Sequence, residues 1–300
     1  LERAHSLIIC VDCGTLSHEA IESVQTCDLI VLDHHLANEN LPECHAVVNP
    51  NRQDEIGNLS HLCAAAVIFL CLVEMRRLLR VSNEKSPDLM NMLDLVALAT
   101  IADVAPLIGV NRAFVRQGLK ILAQRKRVGL AALSDQIKID QTLSAYHLGF
   151  LLGPRINAGG RIGKPDLGAQ LLISQDPHPA SAIAERLDQL NTERQELEKQ
   201  IKEMALVQAM HQNDTDSLAW AAGDSWHPGV LGIVASRIKE TTNLPSVVIG
   251  FNGAIGKGSG RSISGVDLGF AIQKLVSEGL LITGGGHKMA AGLSLVRENL

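Results

Sequence analysis

Two short, mostly branched apolar runs, Leu7-Ile8-Ile9-Cys10-Val11 and Leu29-Ile30-Val31-Leu32, the second opened by Asp28, run directly into acids, Asp12 and Asp33, with a helix-like stretch between them. Such runs are shorter than typical helices and rich in the residues that suit a buried pleated surface, so they read as strands. Strand, helix and strand in that order form a parallel unit, because a parallel pair requires a crossover. Open parallel sheets bind ligands beyond the carboxyl ends of their strands. Asp12 and the tripeptide Asp33-His34-His35 stand at those ends, and together they predict a divalent metal site on an α/β fold.

With 300 residues, 46% of them hydrophobic, the chain can fill two modest cores, so two lobes are expected. A formal charge of −5 rules out a generally basic surface, and any nucleic-acid contact must come from local clusters. Six cysteines, no signal-like start and no run of about 18 apolar residues fit a reduced, cytoplasmic protein with no membrane association. Cys10 and Cys13 form a Cys-x-x-Cys pair without a second pair to complete a zinc site, so they are read as small buried residues. The chain starts at Leu1 and enters its first strand almost at once, which reads as a piece of a longer protein.

Strands are expected over 7–11, 29–32 and 46–48, and helices over 17–25, 59–79, 89–102, 112–123, 143–152 and 167–173. From Ala180 to His211 the composition turns to Glu, Gln, Lys, Arg and Leu without Gly or Pro, and Ile183, Leu187, Leu190, Leu197, Ile201 and Met204 recur at helical spacing. One long helix connecting the lobes is expected there, with a coiled-coil interface as the alternative. Beyond it, strands over 217–222 and 245–250, helices over 230–240 and 268–278 and a final small-residue run form a compact α/β unit. The predicted organisation is a parallel-sheet domain over 1–179, a connector helix over 180–212 and a smaller α/β domain over 213–300.

Asp12, His34 and Asp103, the last closing the apolar helix 93–102, are the metal-ligand candidates. Mixed carboxylate and imidazole donors suit manganese better than magnesium. Asp33 and His35 are neighbours of the site, one orienting an imidazole and the other touching phosphate. Arg155, Asn157 and Arg161 lie in a glycine-rich stretch, 153–163, read either as a phosphate-holding loop or as a loop with surface arginines. Glycine-rich turns beside His227, Arg261-Ser262 and His287 suit an extended anionic ligand, and no P-loop pattern is present. Arg112, Arg116, Lys120, Arg125, Lys126 and Arg127 form an acid-free basic segment that either tracks a nucleic-acid backbone or is a solvated helix and turn.

In order along the chain, Asp12 in a Val-Asp-x-Gly-Thr setting, Asp33-His34-His35, Ala102-Asp103-Val104-Ala105-Pro106, Pro154-Arg155-Ile156-Asn157-Ala158, Gly260-Arg261-Ser262 and Gly284-Gly285-Gly286-His287 resemble the DHH phosphoesterase superfamily with its DHHA1 companion domain. The resemblance is closest to the RecJ-type single-stranded-DNA exonucleases. It implies a DHH domain that lacks its first motif, joined by a long helix to a DHHA1 domain. It also implies a two-metal hydrolysis of phosphodiesters in single-stranded DNA, from the 5′ end, with two Mn2+ (or Mg2+) ions in the complete protein. By that resemblance Asp12 bridges the ions, His34 and Asp103 ligate one of them, His35 is catalytic, and Arg155, Asn157, Arg161, Arg261, Ser262 and His287 hold substrate. It further implies a role in DNA repair and recombination beside a single-strand-binding protein and a helicase.

The family's Asp-x-Asp motif, expected on an earlier strand, has no counterpart in Leu1-Glu2-Arg3-Ala4-His5, so half a metal site and little or no activity alone are expected of this span. The runner-up is an oligoribonuclease or 3′-phosphoadenosine 5′-phosphate phosphatase of the same superfamily, against which the long connector and the Pro-Arg-Ile-Asn stretch argue. A non-catalytic DNA-binding scaffold is the third reading, opposed by the costly clustering of Asp12, His34, His35 and Asp103.

Overall fold

A computed structural model describes residues 5–24, 27–211 and 217–300. The chain divides into two compact units, Leu1–Pro154 with Leu172–Ser181, and Arg155–Leu171 with Ala182–Leu300. Among the described residues no helix is long and apolar enough to cross a membrane.

The first unit is built on three parallel strands, β1 (Leu7–Val11), β2 (Asp28–Leu32) and β3 (Ala46–Val48), in the order β1-β2-β3. Helix α1 (His18–Glu22) crosses from β1 to β2, shorter than expected; the far end of the expected helix, at Gln25, lies outside the described residues. Leu29 and Val31 point into the core with Ile21, which explains the alternation in β2. Register pairs Val11 with Leu32, so Asp12 and Asp33 leave the sheet side by side.

Helices α2 (Ala64–Val81), α3 (Leu93–Ala102), α4 (Gly109–Leu122) and α5 (Val128–Gln136) complete this unit. Phe69, Val67, Leu93 and Val96 share its main core. The stretch 89–92 is a tighter 3₁₀ turn capped by Asp88, so α3 starts later than the sequence suggested. Helix α4 crosses α3 at close range: a Cβ on Gly118 would lie 2.1 Å from the main-chain oxygen of Leu93. Residues 147–152 form a π-helical stretch. Its Gly149 faces Ile101, near the end of α3.

The second unit contains Arg155–Leu171, which the sequence reading placed in the first domain, together with most of the long helix. The glycine-rich stretch 153–163 is helical, not a loop, and forms α6 (Gly153–Ile162). Helix α7 (Leu167–Ile173) follows, then α8 (Pro177–Met210). Two glycines of the 153–163 stretch serve close packing against α8: added Cβ atoms on Gly159 and Gly163 would meet Leu187 at 3.3 Å and Leu190 at 2.7 Å. Ile201, Ala205 and Ala209 of α8 are buried in the core of this unit, so the helix is part of a domain as well as a connection.

The remaining elements are β4 (Ala219–Asp224), α9 (Pro228–Thr242), β5 (Ser246–Asn252), β6 (Ile255–Arg261), α10 (Leu268–Ser277), β7 (Thr283–His287) and β8 (Ala290–Val296). The sheet order is β4-β5-β6-β8-β7, with β4 and β5 parallel and the other pairs antiparallel. Two of the expected glycine-rich turns, 258–260 and 284–287, are therefore strand residues. Glycine admits neighbours there, since a Cβ on Gly258 would lie 2.8 Å from Leu293 and one on Gly284 2.5 Å from Ile272.

Candidate metal centre

The loops after β1, β2 and β3 converge, and a buried carboxylate organises them. Asp33 is 1% exposed. Its Oδ2 accepts the Thr15 N–H at 3.1 Å, and its Oδ1 accepts the N–H groups of His34 (2.8 Å) and His35 (3.3 Å) and the Nδ1–H of His35 (2.8 Å). Burial opposes its charge, but the bonds from His35 and Thr15 and the two main-chain N–H groups outweigh burial and hold the carboxyl well below the usual carboxylate range. With Nδ1 of His35 donating to Asp33, the ring's lone pair lies on Nε2.

His34 is held in the same manner from the other side. Its Nδ1 donates to the Leu62 main-chain oxygen at 3.1 Å, so the neutral ring presents the Nε2 lone pair. That nitrogen lies 3.2 Å from Oδ1 of Asp12. A lone pair facing a carboxylate oxygen is a contact between two acceptors, and a cation between them removes the repulsion. Asp12 itself has φ 61°, a left-handed conformation that Asp tolerates better than most residues, and its N–H bonds to Leu32 O at 3.0 Å.

Ligating atoms of Asp12, His34 and His35 all lie within 4.8 Å of one another. The structure thus brings His35, read from the sequence as a neighbour, into the donor group. Asp103 lies outside this group, with Oδ2 3.7 Å from His34 Nδ1. Burial, and then the Asp12 charge, push the Asp103 carboxyl up against the pull of His34 and His35. Val104, next to it, is a β-branched residue at φ 57° and 86% exposed, a strained backbone of the kind found at functional sites. The Asp12 carboxylate and the His34 and His35 imidazoles, with Asp103 beside His34, fit Mn2+, and such an ion, when bound, would supply Lewis acidity and lower the pKa of a water it holds. The chain's own part is to hold the donors: Asp33 and Leu62 O fix both rings.

The substrate-binding candidates lie in the second unit. Asn157 and Arg161 are exposed one turn apart on α6, and Arg161 donates to Gly229 O at 3.2 Å. Arg155 pairs with Asp188 at 2.7 Å. Arg261, at the end of β6, donates to Ser259 Oγ and Gly260 O, and burial followed by the Arg161 charge lowers its pKa. Arg194 on α8 is a member of this neighbourhood that the sequence reading missed. Burial lowers its pKa, Glu198 opposes this, and the charges of Arg161 and Arg155 add to the lowering. Four guanidiniums near one another favour an anionic ligand. His287 is exposed at the end of β7. Ser262 differs from expectation: it is fully buried and its hydroxyl donates to Val266 O at 2.9 Å, so it builds its own turn instead of facing a ligand.

The basic segment is partly structural as well. Arg127 pairs with the buried Asp94 at 2.7 Å, and Arg125 with Asp135 at 2.6 Å. Arg112, Arg116 and Lys120 form an exposed stripe on α4, at i, i+4 and i+8.

Two family models match the chain. The DHH family, N-terminal domain, matches residues 2–100 and the DHHA1 domain matches residues 206–300. The single-stranded-DNA-specific exonuclease RecJ of Dickeya dadantii (strain 3937) is 40% identical over 309 residues, covering 97% of this chain and 54% of that protein. The chain thus spans about half the length of that curated relative. A crystal structure of RecJ in complex with Mn2+ from Thermus thermophilus superposes with a TM-score of 0.83 at 34% identity, covering 97% of this chain and 42% of that one. A crystal structure of exonuclease RecJ bound to manganese gives 0.81 at 34% identity, with 97% and 71% covered. Strand ends bearing Asp12 and Asp33-His34-His35, the DHH and DHHA1 matches, and relatives matched over nearly the whole span agree: the chain belongs to the RecJ family of DHH and DHHA1 proteins.

Proposed function

We propose that these 300 residues form the metal-holding and phosphate-holding core of a single-stranded-DNA-specific exonuclease that hydrolyses phosphodiesters from the 5′ end. Asp12, His34 and Asp103 serve as metal ligands, with His35 beside them, and Arg155, Asn157, Arg161, Arg261 and His287 hold substrate phosphates. The observation that carries this reading is the convergence of Asp12, His34 and His35 within 4.8 Å at adjacent strand ends. Among the described residues the converging donors are Asp12, His34 and His35, with Asp103 beside His34, enough for one ion and short of a dinuclear centre, so on this reading the span alone binds metal weakly and has little or no activity. In the cell the reading puts the protein in the cytoplasm, in DNA repair and recombination, beside a single-strand-binding protein and a helicase.

The test is binding and turnover of labelled oligonucleotides with Mn2+. Single strands are expected to bind ahead of duplex, without appreciable hydrolysis. A preference for duplex, or hydrolysis of 3′-phosphoadenosine 5′-phosphate, would overturn the assignment; rapid degradation of single strands would overturn the claim of an incomplete centre.

A further inference from the structure

Strand β3 supplies no metal donor, yet the residues that follow it are bonded to the main chain of both histidines. Asn49 is 3% exposed, and its Nδ2 donates to Thr15 Oγ1 at 2.9 Å and to His35 O at 2.8 Å. Its Oδ1 accepts the Asn51 N–H at 2.8 Å. Asn51 in turn donates from Nδ2 to His34 O at 2.6 Å and to Ser60 O at 3.1 Å, and its main-chain oxygen accepts the Ala37 N–H at 3.2 Å. The orientation of both carboxamides is dictated by their neighbours, because each Nδ2 faces a carbonyl that can only accept.

No other side chain of this size meets these demands. Each site requires two N–H donors from one planar group, and Asn49 must also accept. Asp cannot donate, Ser and Thr donate once, and Gln displaces the amide by a methylene. Pro50 between the two residues fixes its own φ and favours extended backbone at Asn49, which stiffens the tripeptide that carries both amides.

We propose that Asn49 and Asn51 are positioning residues for the metal centre, so that the third strand, without touching metal, sets where the His34 and His35 imidazoles sit. Asn51 ties the His34 peptide to Ser60 O, two residues before the carbonyl that fixes the His34 ring, Leu62 O. Asn49 ties the His35 peptide to Thr15, whose N–H binds the same carboxylate that holds the His35 ring. Ring and peptide of His34 are thereby anchored to segment 60–62, and those of His35 to Asp33 and Thr15. The proposal rests on reading the histidines as metal ligands.

Four variants of the chain test it: N51A, the milder N51S that keeps one donor, N49A, and L133A, a truncation of a fully buried side chain in the same unit away from the network. Two readouts apply. Long-range 1H–15N spectra of the imidazoles in metal-free protein, with His34 assigned by its absence in H34Q, report the ring tautomer. Electron paramagnetic resonance of free Mn2+ reports affinity. N51A is expected to lose the fixed Nδ1–H form of His34 and to bind Mn2+ at least about tenfold more weakly, the usual scale for groups that orient ligands. N49A should lose similar affinity, N51S should fall between N51A and wild type, and L133A should keep both signatures. The proposal is overturned if N51A and N51S keep the wild-type tautomer and bind within twofold of wild type, or if L133A loses as much. Should wild-type protein bind no Mn2+, the ligand reading fails, while the tautomer comparison still decides whether Asn51 positions His34.

Discussion

Replacing Asp33 by Asn tests the claim that one buried carboxylate organises the strand ends. The substitution keeps size and shape but removes the charge and turns one oxygen into a donor. Three donors converge on Oδ1, the N–H groups of His34 and His35 and the His35 ring, and the Thr15 N–H meets Oδ2. With the amide oxygen in place of Oδ1, its NH2 faces the Thr15 N–H, leaving a buried donor unsatisfied at about 1–3 kcal/mol. Loss of charge at the three other bonds adds roughly 0.5–1 kcal/mol each, the difference between charged and neutral acceptors. The expected loss is about 2.5–6 kcal/mol in the first unit. Urea unfolding followed by mass-resolved labelling of Cys63, a buried thiol of that unit, measures it. Because the folded-state pKa of Asp33 is depressed, its contribution is fully present above the unfolded value of about 3.9 and fades as pH falls through the folded value. The gap between D33N and wild type should therefore persist at pH 7 and narrow below about pH 4. A gap under about 1 kcal/mol at neutral pH, or one that does not narrow in acid, would refute the reasoning.

Other substitutions probe separate parts of the account. Gly118→Ala drives a Cβ against the Leu93 carbonyl where α3 and α4 cross and should destabilise the first unit by about 1–3 kcal/mol in the same assay, despite the better helix propensity of Ala. Gly229→Ala places a Cβ 2.1 Å from the Arg161 main-chain oxygen, and should lower the urea midpoint read from tryptophan fluorescence, since Trp220 and Trp226 both lie in the second unit. Removing Arg112, Arg116 and Lys120 together should reduce the salt slope of single-strand binding by about 2, at roughly 0.7 per phosphate contact, if the stripe tracks a backbone; an unchanged slope identifies a solvated face.

The sheet of the first unit was legible because its strands are short, branched and punctuated by acids, and because parallel pairing puts Asp12 and Asp33 side by side. Asp12 and His34 stood out as candidates for the same reason, whereas His35 was read only as a neighbour and Asp103 closes helix α3. The glycine-rich stretches were not. A glycine that allows a loop to bend and one that lets α6 approach α8 look alike in a sequence, and only the partners, Leu187 and Leu190, separate the two cases. The partners of Arg127 and of the two asparagines were equally hidden, since Asp94 lies 33 residues from Arg127, and His35 and His34 lie 14 and 17 residues from Asn49 and Asn51. The sequence does signal the asparagines faintly: an Asn-Pro-Asn tripeptide closing a strand marks a built turn. Ser262 misled because its place beside Arg261 suggested a ligand, whereas its hydroxyl serves the turn.

The most direct test of the metal centre is Mn2+ binding to this chain, followed by electron paramagnetic resonance and compared with a His34→Ala variant whose fold is verified by circular dichroism. The account predicts one weakly bound ion per chain, lost in the variant while the fold remains. Equal binding by both proteins, or none by the wild type, would contradict it.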